Sequence, residues 1–132
     1  KAVRPWQHVV EPLAGYLEVG MRLSENPIKY SGAWNFGPES KDCISVGEVV
    51  RKSVDIWGKG TFQFLGNYNG PHEAKLLMLD INKSIYELNW QPRFDVSKAL
   101  KQTISWYKDY YLDKNTATPN ILNTIKDYLN EK

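Results

Sequence analysis

From Glu11 to Glu25 the apolar positions Leu13, Leu17 and Met21, with Val19, recur at helical spacing, which predicts a helix with those residues facing a core. Pro12 sits where a first turn tolerates proline, and Asn26-Pro27 closes the run. "AWNFG" at 33–37 reads as a short buried strand ended by Gly37 and Pro38. Ser45 and Glu48 form an S-x-x-E capping box, opening a helix that turns Val49, Val50, Val54 and Trp57 inward and stops at Gly58. "TFQFLG" at 61–66 alternates as a strand does, "NYNGP" follows as turn chemistry, and "KLLML" at 75–79 reads as another strand. Asp80 is expected to cap a short helix through Leu88, with Trp90 and Pro92 just beyond. Asp95 caps a longer one in which Val96, Leu100, Thr103, Ile104 and Tyr107 share a face. The polar link "DKNTAT" leads to a last helix with Thr118 at its cap, Pro119 in its first turn, and Ile121, Leu122, Ile125 and Leu129 inward.

This order predicts an α/β chain, mostly helical with a few short strands. Three short strands make no large sheet, so the piece is expected to lean on something else. There is no internal repeat and no low-complexity tract. With 132 residues, 42% hydrophobic and 24% charged, the chain can bury a core of its own. A net charge of +2, evenly spread, lacks the basic stripe of a nucleic-acid surface. Cys43 is the single cysteine, which rules out an internal disulfide or thiolate cluster and is compatible with a reducing cytoplasm. No stretch approaches the roughly 18 to 20 apolar residues that span a bilayer, so no membrane is expected as partner. The opening "KAVRPWQHVV" has neither a signal-peptide core nor an initiating Met, and is expected to be a cut from a longer chain; removal of a tag from a complete short protein is the alternative.

None of the nine glycines supplies the dinucleotide fingerprint between a strand and a helix. "WGKGTF" leaves a helix and enters a strand, the wrong direction for a helix N-terminus facing phosphate. Tyr-x-x-x-Lys, in which a lysine lowers a tyrosine pKa to make a base, occurs as Tyr110/Lys114 and Tyr128/Lys132. The first runs out of a helix and the second ends the chain, so both are read as coincidence. His8 and His72 are too far apart for a local metal pair, and no nucleophile elbow appears. No catalytic, cofactor or metal constellation is therefore expected in this chain.

Binding candidates remain. "VRPWQHVVEP" places Arg4, Trp6, Gln7, His8 and Glu11 directly before a helix, and a guanidinium fork suits a phosphate; a structural ion pair or a solvated charge is the alternative. Asn35 at a strand end can bond a ligand hydroxyl or phosphate, or equally the loop backbone. His72 and Glu73 precede a strand, where ligand-contacting loops are common, though ordinary solvated loop residues fit as well. Trp90 and Trp106 are expected to pack in the core rather than stack on sugar.

Five segments carry a family likeness: "RPWQHVVEPLAGYL" at 4–17, "AWNFGP" at 33–38, "SVGEVV" at 45–50, "PHEAKLLMLDINKSIYELNWQP" at 71–92 and "ALKQTISWYKDYY" at 99–111. In this order they resemble the C-terminal half of extended short-chain dehydrogenase/reductase enzymes acting on nucleotide sugars, and within these the CDP-glucose 4,6-dehydratase family. Related epimerases and dTDP-glucose dehydratases carry R-D-[YW]-x-[HY]-V-x-D in the first segment. This chain has Pro5 after Arg4 and Pro12 after Glu11, as the CDP-glucose family does. The likeness runs to Tyr111 and is looser in the tail.

The resemblance implies the C-terminal lobe of a Rossmann-type enzyme without the Rossmann core: residues 1–132 as the nucleotide-sugar-binding lobe, with 112–132 as linker and final helix. It implies a parent, expected to be a cytoplasmic homo-oligomer, that oxidises C4 of CDP-glucose with tightly bound NAD, eliminates water across C5 and C6, and returns the hydride to C6. The 4-keto-6-deoxy product serves deoxysugars of surface polysaccharides such as lipopolysaccharide O-antigen. Arg4 corresponds to the arginine that holds the substrate pyrophosphate, and Asn35 lies in the motif lining the nucleotide pocket. His72 and Glu73 occupy the loop that reaches phosphates or ribose in relatives, which often carry Arg and Asp there. The glycine-rich NAD loop, the Tyr-x-x-x-Lys pair and the acid/base carboxylates belong upstream, so the isolated chain is expected to be inactive. An equivalent lobe of an epimerase or reductase, or a free-standing binding module, are the competing readings.

Overall fold

The structure, a computed structural model, describes residues 2–64 and 74–131. Six α-helices follow in chain order: α1 (Val10–Glu25), α2 (Pro27–Tyr30), α3 (Val46–Trp57), α4 (Asn82–Leu88), α5 (Val96–Leu112) and α6 (Ala117–Asn130). Single 3-10 turns at Ser40–Asp42 and Lys114–Thr116 precede strand β2 and helix α6. The two strands, β1 (Val3–Arg4) and β2 (Ile44–Ser45), pair antiparallel with Val3 opposite Ser45 and Arg4 opposite Ile44.

Local chemistry accounts for most helix ends. Ser45 accepts the Glu48 N–H while the Glu48 carboxylate accepts the Ser45 N–H, the reciprocal box that starts α3. Gly58 ends it in the left-handed region at φ 84°. Asp95 accepts the Lys98 N–H at 2.7 Å, and buried Asp42 accepts the Val96 N–H at 3.0 Å, so two carboxylates close the start of α5. Asp80 accepts the Asn82 N–H at 2.9 Å from two residues ahead of α4, whose cap position is Ile81 rather than the expected Asp80. Helix α6 begins at Ala117, just before the expected cap at Thr118.

The segments read as strands at 33–37 and 75–79 are not regular strands, nor is 61–64; 65–66 lie outside the described residues. Side chains occupy the carbonyls that a neighbouring strand would have used. Lys83 donates to the Ala33 carbonyl, Ser84 to that of Asn35 at 2.6 Å, and Gln7 to that of Phe36 at 2.9 Å. At 75–77 the backbone makes only a parallel bridge between Leu76 and Val3.

One buried cluster comprises Tyr30, Phe36, Ile81, Leu88 and Trp90, with Val19, Leu23, Trp34 and Ile85 packed against it. Trp90 thus packs in the core as expected, edge-to-face on Phe36 at 4.8 Å. Gly15 lets α1 lie on the Phe36 ring: a Cβ there would stand 2.4 Å from Cδ1.

Two helix faces differ from the sequence reading. On α1 the inward side is Glu11, Gly15, Val19 and Leu23, while Leu13, Leu17 and Met21 are exposed. On α6, Ile121, Leu122, Ile125 and Leu129 are exposed and the buried residues are Thr124 and Tyr128. The reason is a polar column along α6. Asn120 donates to Asp109 at 2.9 Å, Thr124 to Gln102 at 3.2 Å, and Tyr128 to Glu11 at 3.0 Å. Directional bonds to α5 and α1 orient the helix, and its apolar stripe is left outside. Tyr107 of α5, also expected on the inward face, is nearly half exposed.

Candidate functional site

The segment from Arg4 to Glu11 is tied by its side chains to backbone of several other segments. β1 stands between two neighbours: β2 on one side and residues 75–77 on the other, where the Val3 N–H donates to the Lys75 carbonyl at 2.9 Å and the Val3 carbonyl accepts from Leu77 at 3.2 Å. Trp6 donates its indole N–H to the Ile44 carbonyl at 3.1 Å. Gln7 reaches the 33–37 segment through the Phe36 carbonyl, and its Oε1 is buried with no hydrogen-bond partner among the described residues. His8 Nδ1 accepts the Val10 N–H at 3.1 Å and its ring meets Phe94 edge-on at 6.0 Å; burial lowers its pKa.

Arg4 is half-buried on β1, and one guanidinium nitrogen donates to the Val3 carbonyl at 2.7 Å. Asn35 is exposed and its amide donates to the Asp80 carbonyl at 3.1 Å, so it satisfies loop backbone, one of its two expected uses. The segments bearing Arg4 and Asn35 are joined by the Gln7–Phe36 bond. His72 and Glu73 lie outside the described residues.

Glu11, named with the opening segment but given no role by the sequence, emerges as the central group. Its side chain is fully buried. Oε1 accepts the backbone N–H groups of Arg93 and Phe94 at 2.9 and 2.7 Å, and Oε2 accepts the Tyr128 hydroxyl. Burial raises the Glu11 pKa, opposed by these hydrogen bonds. Arg93 completes the cluster by donating to the Tyr128 carbonyl at 3.0 Å and lying over the Tyr128 ring. A sequence signal existed, since a carboxylate in the first turn of a helix favours N–H donors, but the donors come from far along the chain.

The Tyr-x-x-x-Lys coincidences dissolve. Lys114 lies beyond the end of α5, off the face that carries Tyr110. Tyr128 is buried, and burial together with Glu11 drives its pKa upward, the opposite of a phenolate base. Among the described residues no cluster of three or more His, Cys, Asp or Glu suits a metal. The starts of α3 and α5 do not fit a dinucleotide: carboxylates of Glu48, Asp95 and Asp42 already stand there, where a pyrophosphate would bring like charge. No helix is long and apolar enough to cross a membrane among the described residues.

Two open clefts flank these segments. One, of about 560 Å³, lies between α1, residues 89–93 and α6, with Leu17, Met21, Arg93 and Leu129 on its walls. The other, of about 670 Å³, lies beside the Asn35 segment, between Pro38–Lys41 and Met78–Asn82.

No family model matches the chain. Over 107 residues, 81% of this chain, it is 42% identical to CDP-glucose 4,6-dehydratase of Salmonella typhimurium, of which it covers 30%. It is 27% identical to UDP-glucuronic acid decarboxylase 1 of Arabidopsis thaliana over 87% of this chain and 24% of that protein. It is 28% identical to UDP-glucuronate 4-epimerase of Thermodesulfobacterium geofontis over 52% of this chain and 21% of that protein. The chain spans less than a third of the length of these relatives. With short strands and no Rossmann core among its described residues, the chain is similar to the C-terminal part of CDP-glucose 4,6-dehydratase, and more weakly to other nucleotide-sugar enzymes of the short-chain dehydrogenase/reductase superfamily.

Proposed function

We propose that this chain is the nucleotide-sugar-binding lobe of an NAD-dependent CDP-glucose 4,6-dehydratase. The observation that carries the reading is the 42% identity to such an enzyme over 81% of the chain, against 27 and 28% for the decarboxylase and the epimerase. Arg4 is the residue assigned to the substrate pyrophosphate, its strand held on both sides by backbone bonds that fix where the guanidinium starts. Asn35 and the His72–Glu73 loop are assigned to the nucleotide and its ribose. The chain carries no glycine-rich dinucleotide fingerprint and the starts of α3 and α5 are already taken by carboxylates, so NAD and the redox chemistry are assigned to the rest of a cytoplasmic, homo-oligomeric parent, and the lobe alone turns nothing over.

Calorimetric titration of the chain with CDP-glucose, UDP-glucose and CDP tests the reading. Binding selective for the two cytidine compounds is expected. Preference for UDP-glucose moves the lobe to the epimerase and decarboxylase side of the family. Absence of binding to all three removes the isolated lobe as a nucleotide-sugar binder, and dehydratase turnover with added NAD overturns the division of labour.

A further inference from the structure

We propose that Glu11 is a positioning residue that sets, through the first turn of α1, where the Arg4–His8 and Asn35–Phe36 segments stand; its purpose rests on the nucleotide-sugar reading, its mechanism on packing alone.

The carboxylate is fully buried, and both oxygens are engaged by groups 82, 83 and 117 residues away. One side chain thereby fastens the first turn of α1 to the head of α5 and the end of α6. The consequences run in both directions along the chain. One turn onward, Gly15 rests on the Phe36 ring, with no room for a Cβ. One turn back, Gln7 holds the Phe36 carbonyl. Phe36 is thus gripped from both sides of Glu11, and the next residue toward the N-terminus of that segment is Asn35. His8 leans on Phe94, whose N–H Glu11 itself holds.

A hydrophobic plug of similar volume would serve stability as well or better, because taking a carboxylate out of water carries a desolvation cost that its bonds must first offset. What a multiply bonded carboxylate adds over a plug is direction. Three donors from two distant segments hold its two oxygens at 2.7 to 3.0 Å, so α1 can start in one place and one orientation.

The experiment compares the wild-type chain with Glu11→Gln, which keeps the size of the side chain, and Tyr128→Phe, which removes one of the three bonds and keeps the ring. Amide resonances of residues 4–8 and 35–37 are followed by two-dimensional NMR, and CDP-glucose affinity by calorimetry. Glu11→Gln is expected to shift both sets of resonances in a chain that remains helical. It is also expected to weaken CDP-glucose by roughly threefold to tenfold, in the lower part of the range of couplings through shared contacts. Combined with Arg4→Ala, it should cost less than the product of the two single losses. Changes confined to residues 93–94 and 128, or strictly multiplicative losses, overturn the proposal. If Glu11→Gln does not fold, Tyr128→Phe decides by the same resonances. A wild-type chain that ignores CDP-glucose counts against the nucleotide-sugar reading, while the shifts at 4–8 and 35–37 still decide whether Glu11 positions them.

Discussion

The Tyr128 hydroxyl donates to the Glu11 carboxylate at 3.0 Å, joining the end of α6 to the start of α1 across 117 residues of sequence. Around that bond the Arg93 guanidinium lies over the Tyr128 ring, and Lys98 pairs with Glu131. The C-terminal helix is therefore held at its far end by polar contacts to α1, to α5 and to the segment between α4 and α5.

Removing the carboxylate should be far more damaging than removing the phenol oxygen. Glu11→Ala strands the Arg93 and Phe94 N–H groups and the Tyr128 hydroxyl in the interior, an expected loss of about 3 to 5 kcal/mol. Tyr128→Phe leaves the carboxylate two of its three bonds, an expected loss of about 1 to 2 kcal/mol. Urea denaturation of the three chains checks the order; equal losses would mean the carboxylate holds nothing beyond the phenol.

Two glycines of α1 should respond in opposite directions to the same substitution. Gly15→Ala drives a methyl into the Phe36 ring, and the overpacking of about 1 to 3 kcal/mol outweighs the helix gain. Gly20 has nothing within 4 Å of a built Cβ, so Gly20→Ala should add about 0.5 to 1 kcal/mol. Melting temperatures that move the same way would refute the close approach of α1 to Phe36.

What was legible in the sequence was local chemistry. The Ser45–Glu48 box, the Asp95 cap, the Gly58 stop and the extents of α1 and α3 to α5 all depend on residues within a few positions of one another. The strand at 33–37 failed because its carbonyls are taken by Gln7, Lys83 and Ser84, partners that no local pattern announces. The face of α6 failed for a related reason: apolar periodicity points to Ile121, Ile125 and Leu129, but Asn120, Thr124 and Tyr128 have partners on α5 and α1. For the site, Arg4 was singled out by its motif, whereas Glu11 became visible only once residues 93 and 128 were folded against it.

His8 should make the chain acid-sensitive. Its Nδ1 accepts the Val10 N–H, which needs an unprotonated nitrogen, and burial lowers its pKa below the ordinary 6.5. With the folded value lower than the unfolded one, the folded state binds fewer protons between them. The contribution is complete above 6.5 and is lost as pH falls toward the lowered value, below which it changes no further. Melting temperature against pH should therefore rise across that window in the wild type and more weakly in His8→Gln. Parallel curves for the two chains would remove His8 as the source.

The exposed stripes of α1 and α6 lead to a prediction about the chain in solution. Leu17 and Leu129 are 72% and 67% exposed, and both line the cleft between the two helices together with Met21. Leu13 extends the apolar surface along α1, and Ile125 extends it along α6. Apolar surface gathered around one groove favours association, whereas the same residues scattered singly would not. The chain should therefore self-associate with rising concentration, and Leu17→Lys with Leu129→Lys should shift it toward monomer. Because both side chains are largely solvated, each substitution should change stability by no more than about 0.5 kcal/mol, so lost association would not reflect unfolding. Sedimentation velocity over a wide concentration range reads the outcome directly. A wild-type chain that stays monomeric throughout would mean that the two stripes are too far apart, or too well interrupted by Glu18 and Arg93 at the cleft wall, to act as one surface.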